Sequence, residues 1–164
     1  MVLSLPIIAF MKLEQKVAQA LIAQKKTLAL AESCSGGLFS HRLTNIPGSS
    51  HFLKWGCIAY SNETKIKLLR VPFSTLQKYG AVSAQVAVAM ATNIRNILKT
   101  DLGVGITGIA GPTGATSKKP IGLTYIAIKT ARESLCVQCH FKGKRTSIKS
   151  QAVRQTFRLL LEFL

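Results

Sequence analysis

The sequence predicts an α/β fold, a mixed sheet in a single domain with helices on both faces. Two observations predict it. Short apolar runs alternate with stretches of helical periodicity through the first two thirds of the chain, and two adjacent strand patterns come late. No internal repeat or domain linker interrupts the pattern, and 164 residues suffice to bury a core without disulfides or metal.

The elements follow in order. Leu13, Val17, Leu21 and Ile22 recur at helical spacing over about 12–25, and Thr27–Ala31 is a short apolar run that reads as a buried strand. A helix over about 36–45 follows, with Ser35 as its expected N-cap, and 45–50 is a turn by composition. Residues 56–60 form the second strand candidate, after which Ser61 and Asn62 cap a helix carrying Lys65. Pro72–Tyr79 is a short helix closed by Gly80, and Ser83 caps a longer one over about 84–99. Leu102–Thr107 reads as a buried strand running into a glycine loop, 108–114. Strands at 122–130 and 134–141 and a final helix over about 146–163 complete the chain.

Charge is the unusual feature of the composition. The chain has 22 Lys+Arg against 6 Asp+Glu, a formal net charge of +16. An anionic partner suits that balance, whether nucleic acid or a phosphorylated small molecule. The basic residues are scattered rather than gathered on one arm or helix, which does not favour a dedicated nucleic-acid groove. Four cysteines with no secretory leader suggest free thiols in a reducing compartment, hence a cytoplasmic protein. The apolar first ten residues are too short to span a membrane and read as an extension ahead of a domain over 11–164.

Two spellings carry less than they suggest. Gly103-Val-Gly105-Ile-Thr-Gly108 spells a dinucleotide fingerprint, but its glycines lie within a strand instead of opening a helix. Cys136-Val-Gln-Cys139-His140 spells a haem or zinc pattern. On a strand, however, Leu135, Val137, Cys139 and Phe141 share one face, while Cys136, Gln138 and His140 share the other.

Ala31-Glu-Ser-Cys-Ser-Gly-Gly37 carries more. A strand ends on a carboxylate and hydroxyls, then turns through two glycines into a helix. Such a turn is either an ordinary connection or a site, because glycines let a ligand approach the backbone and a helix start offers N–H groups to an anion. With so few carboxylates, serine activation by lysine is the better supplied chemistry. Lys65, on the first turn of the helix after the second strand, is the best placed lysine. Burial lowers an ammonium's pKa and lets it take a proton from serine, and Tyr60 stands where it can hold or relay that proton. Chain position alone leaves Ser33 and Ser35 equal as nucleophiles.

The same stretch is the first of five linked motifs. The others are Tyr60-Ser-Asn-Glu-Thr-Lys65, Gly80-Ala-Val-Ser83, Gly105-Ile-Thr-Gly-Ile-Ala-Gly-Pro112 and Lys119-Pro-Ile-Gly122. In this order and spacing they closely resemble the CinA C-terminal domain family, from about residue 12 to the end of the chain. The resemblance implies a three-layer α/β/α sandwich and a homodimer. It implies hydrolysis of nicotinamide mononucleotide to nicotinic acid mononucleotide and ammonia, with no cofactor and no metal. Carried over, the nucleophile falls on Ser33, with Tyr60 and Lys65 as its activating partners. Thr107 and Gly108 fall on the pocket wall, and Arg145 is expected to meet the phosphate. Glu32, Ser35, Gly36, Gly37 and Asn62 are expected to complete the substrate-binding set. Three departures stand out: Ser35 replaces the usual Thr, Gly143-Lys144-Arg145 replaces Gly-Asp-Arg, and Lys118 replaces an acid. The resemblance covers only the C-terminal domain of full-length members, so activity toward dinucleotides such as ADP-ribose is expected to be absent.

Overall fold

The computed structural model describes residues 11–164. The expected extension, residues 1–10, lies outside the described residues. Five strands form one mixed sheet in the order β2-β1-β3-β4-β5. They are β1 (Leu28–Glu32), β2 (Leu53–Ile58), β3 (Leu102–Gly108), β4 (Leu123–Lys129) and β5 (Ser134–His140). β1 pairs in parallel with both β2 and β3, while β3–β4 and β4–β5 are antiparallel. The helices are α1 (Leu13–Ala23), α2 (Leu38–Thr44), α3 (Asn62–Lys67), α4 (Phe73–Tyr79), α5 (Ala84–Leu98) and α6 (Arg145–Phe163).

The period-two alternation of strand side chains sorts these helices into two layers. Leu28 and Leu30 of β1, with Val104 and Ile106 of β3, join Val17, Phe39 and Phe157 in one core, so α1, α2 and α6 cover that face. Ala29 and Ala31 point the other way, to a second core with Leu69, Leu76, Val86, Met90 and Ile94 from α5 and the α3–α4 region. The sheet is thus the middle of three layers. Small residues line its second face because α5 lies close against it. An added Cβ would stand 2.1 Å from the Ala91 carbonyl oxygen at Gly103 and 2.3 Å from the Ala87 carbonyl oxygen at Gly105. The first two glycines of the fingerprint-like run, Gly103 and Gly105, therefore serve helix–sheet contact, in keeping with their place inside the strand.

Every residue of β1 is buried, as expected of a parallel strand flanked on both sides. The β5 faces follow the expected alternation too: Leu135, Val137, Cys139 and Phe141 pack toward the α6 side, and Cys136 toward α5. Two expectations are corrected. The second strand begins earlier and ends sooner than 56–60, so Tyr60 lies in the loop beyond it. β2 is a sheet edge whose residues alternate between half-buried and exposed, which dilutes the apolar run that marks a strand. The first helix after β1 starts at Leu38, and its N-cap position is Gly37 rather than Ser35.

This topology gathers the C-terminal ends of the three parallel strands. Ser33–Gly37, Ala59–Ser61 and Ile109–Gly114 meet there, at the end of the sheet where open α/β folds place their sites.

Candidate active site

Alternation along β1 separates Glu32 from Ser33. Glu32 is fully buried and turns toward α2, where its carboxylate accepts hydrogen bonds from Gly37 N at 3.1 Å, Phe39 N at 3.1 Å and Ser40 N at 2.8 Å. It also accepts one from Ser40 Oγ at 2.6 Å. Those amides are the orphan donors of a helix start, so a residue of the preceding strand caps α2. The Glu32 carboxylate is thus engaged in holding the turn. Ser35, the expected cap, is buried, and its Oγ finds no hydrogen-bond partner among the described residues.

Ser33 turns the other way. Its N–H donates to the Ile106 carbonyl at 2.9 Å, which continues the β1–β3 pairing by one residue and fixes the backbone. Its side chain meets Lys65, the fourth residue of α3. Lys65 is 1% exposed, and its Nζ donates to Ser33 Oγ at 3.1 Å, to the Ala59 carbonyl at 2.7 Å and to the Tyr60 carbonyl at 3.5 Å. α3 is held in place by Ser61, whose Oγ accepts from Thr64 N at 3.1 Å. Among the described residues no carboxylate pairs with Lys65. Burial lowers its pKa from the ordinary lysine value, the cationic form being the one that loses hydration. With two N–H groups on carbonyls, a neutral Lys65 amine has its lone pair left for the Ser33 hydroxyl.

Beside this pair lies a cavity of about 290 Å³, lined by Cys34, Tyr60, Gly108, Gly111 and Arg145 among others. Gly108 admits Cys34 there: a Cβ on it would stand 3.0 Å from Cys34 Sγ and 2.6 Å from Thr124 Oγ1. Burial first, and Glu32 second, push the Cys34 thiol up to about 11, so it stays protonated at neutral pH. Thr107 is buried behind the wall, its Oγ1 donating to the Ala81 carbonyl at 2.8 Å. This bond, with Lys119 Nζ on the carbonyls of Tyr79 at 2.6 Å and Val82 at 2.7 Å, holds the segment that brings Val82 to the cavity.

Tyr60 departs from its expected place. Its side chain is 59% exposed, and its hydroxyl accepts from Arg145 at 2.5 Å instead of contacting Lys65. Only its backbone carbonyl reaches the ammonium, because the loop beyond β2 turns the ring outward. Arg145 donates also to the Gly111 carbonyl at 2.7 Å, so it spans the cavity from α6 to two loops. Asn62, the first residue of α3, is exposed and makes no side-chain hydrogen bond among the described residues. Gly36 and Gly37 take φ of +59° and +87°, and the nearest side chains to them are Lys149 and Ile58. The structure thus brings Ser33 and Lys65 together and sets Tyr60, Gly108 and Arg145 around the adjoining cavity. Thr107 and Glu32 stand behind it as supports.

Cys34 and Lys149 are neighbours of the site that the sequence reading did not single out as functional. The signal for Lys149 was its spacing of four from Arg145, which puts both on one face of α6. Among the described residues no three His, Cys, Asp or Glu side chains are grouped to hold a metal ion, and no helix is long and apolar enough to cross a membrane.

A family model described as the CinA C-terminal domain matches residues 10–164. The chain belongs to that family. A CinA-like protein of Syntrophus aciditrophicus is 48% identical over 153 residues, covering 93% of this chain but 36% of the relative. The chain thus spans about a third of that relative's length. A crystal structure of a CinA superfamily protein from Klebsiella pneumoniae aligns with a TM-score of 0.89 at 32% identity, over 92% of this chain and 94% of that one. The competence/damage inducible protein CihA from Agrobacterium tumefaciens aligns at 0.86 and 33%, over 99% and 98%. The CinA fold expected from the sequence is therefore the fold observed.

Proposed function

We propose that this CinA-family domain is an amidase that hydrolyses nicotinamide mononucleotide to nicotinic acid mononucleotide and ammonia. The observation that supports this reading most is the buried Lys65 ammonium 3.1 Å from Ser33 Oγ, with no carboxylate among the described residues to hold its proton. Ser33 Oγ attacks the carboxamide carbon as its proton passes to Lys65 Nζ. The N–H groups of Cys34 and Ser35, which meet no backbone carbonyl among the described residues, are available to the oxyanion. Lys65 then gives its proton to the departing nitrogen, and ammonia leaves an ester on Ser33. Water attacks that ester, Lys65 takes the water's proton and returns it to Ser33 Oγ, and the carboxylate product departs.

Tyr60 serves this scheme through its carbonyl, which orients the amine, and through its hydroxyl, which holds Arg145 at the cavity. Two of the five guanidinium N–H groups are used on Tyr60 and Gly111, leaving others for a substrate phosphate. The homodimer implied by the resemblance and the cytoplasmic location expected from the sequence belong to the same proposal. Sedimentation of the purified chain tests the first. Incubation with nicotinamide mononucleotide, followed by assay of ammonia, tests the activity. Ser33→Ala and Lys65→Met are expected to abolish release while both variants keep the wild-type circular dichroism.

A further inference from the structure

Lys149 has no part in the scheme above, and its surroundings give it one. It lies half-buried on α6, one turn beyond Arg145. Its ammonium rests on the open face of Gly36, where an added Cβ would be 3.2 Å from Nζ and 3.7 Å from Cε. Gly36 belongs to the turn that carries Ser33, its N–H donating to the Ser33 carbonyl at 3.1 Å. Among the described residues the Lys149 ammonium has no hydrogen bond and no ion pair. Arg145, its neighbour on the same helix face, already donates to the Gly111 carbonyl and the Tyr60 hydroxyl. The two cations thus divide into one that is anchored to the cavity wall and one that is uncommitted above the Ser33 turn.

We propose that Lys149 is the second cation of an anion subsite, acting with Arg145 one turn away on the same face of α6 to bind the phosphate monoester of the substrate beside the Ser33 turn. The proposal deepens the amidase reading and rests on it for the identity of the substrate, but not for the presence of the subsite. Arg145 supplies oriented, planar donors, and Lys149 supplies a point charge on a flexible stem that needs no rearrangement of other contacts. The absence of a side chain on Gly36 is what leaves room for that charge.

The test replaces Lys149 by Met, with Lys149→Gln as a second neutral variant and Lys149→Arg as the charge-retaining control. One lost charge-assisted contact corresponds to about a tenfold change in affinity. The neutral variants are expected to raise KM for nicotinamide mononucleotide about tenfold with kcat little changed, and Lys149→Arg to restore KM. Hydrolysis of nicotinamide riboside, which lacks the phosphate, is expected to be the same in all four proteins. A titration with inorganic phosphate, followed by NMR or calorimetry, reads the subsite without any turnover. Phosphate binding that weakens in both neutral variants while the wild type proves inactive sustains the subsite and removes the amidase reading. Phosphate binding unchanged by either neutral variant overturns the subsite, as does a fall in kcat at constant KM, which would place Lys149 at the reacting carboxamide.

Discussion

Ser33 and Lys65 lie 32 positions apart and touch because one ends the central parallel strand while the other sits on the helix after its neighbour. The lowered pKa of Lys65 gives two measurable consequences. As general base the amine must be neutral, so kcat is expected to rise with pH through a limb set below the ordinary lysine range, and Lys65→Met is expected to remove the activity that shows it. Below its folded-state pKa, Lys65 is protonated in both the folded and unfolded chain, and the folded state bears the cost of burying the charge. Between that pKa and the ordinary one, only the unfolded chain binds the proton, so stability rises with pH across this interval. Urea denaturation of wild type and Lys65→Met over that range is expected to show the rise in the first and not in the second. Cys34 tests the neighbouring hydroxyl. With its thiol pushed up to about 11, iodoacetamide at neutral pH is expected to leave activity intact, and rapid inactivation would show a reactive thiol at the cavity.

At the scale of the element, the turn after β1 is held by Glu32, a residue of the strand, and not by Ser35. Glu32→Ala would orphan the buried amide of Phe39 and the part-buried amides of Gly37 and Ser40 and is expected to cost about 3 kcal/mol in urea denaturation. Ser35→Ala removes a buried hydroxyl with no partner and is expected to be neutral or mildly stabilising, whereas loss of a true cap costs about 1 kcal/mol. The two variants together decide which residue holds α2. The sequence reading had the helix and its start nearly right and the cap wrong, because capping rules look to residues adjacent to the helix, and a strand carboxylate reaching back over the turn follows no local pattern. β1, α5 and α6 were legible because uniform burial and helical periodicity leave strong marks. β2 was misplaced because an edge strand with alternating exposure leaves a weak one. The outward turn of Tyr60 was illegible for a different reason: its partner Arg145 is 85 positions away.

Over the whole molecule the net charge of +16 includes Arg145 at the cavity and Lys149 one turn further along α6, over Gly36. An anionic substrate is drawn to such a surface and the attraction is screened by salt, so kcat/KM for nicotinamide mononucleotide is expected to fall as ionic strength rises, with kcat little affected. The same charge admits a competing account, binding of nucleic acid. DNA affinity falling steeply with salt, in a chain with no amidase activity, would favour that account. The three-layer arrangement was legible as a mixed sheet with helices on both faces, from the order of elements alone. Which face each helix covers was not, since that depends on the small residues of β1 and β3 that seat α5.

The central claim is that a lysine-activated Ser33 hydrolyses a carboxamide, and ammonia release from nicotinamide mononucleotide tests it most directly. Turnover by the wild-type chain that is lost in both folded Ser33→Ala and folded Lys65→Met is the predicted result. Ammonia release at the wild-type rate from Ser33→Ala would contradict it.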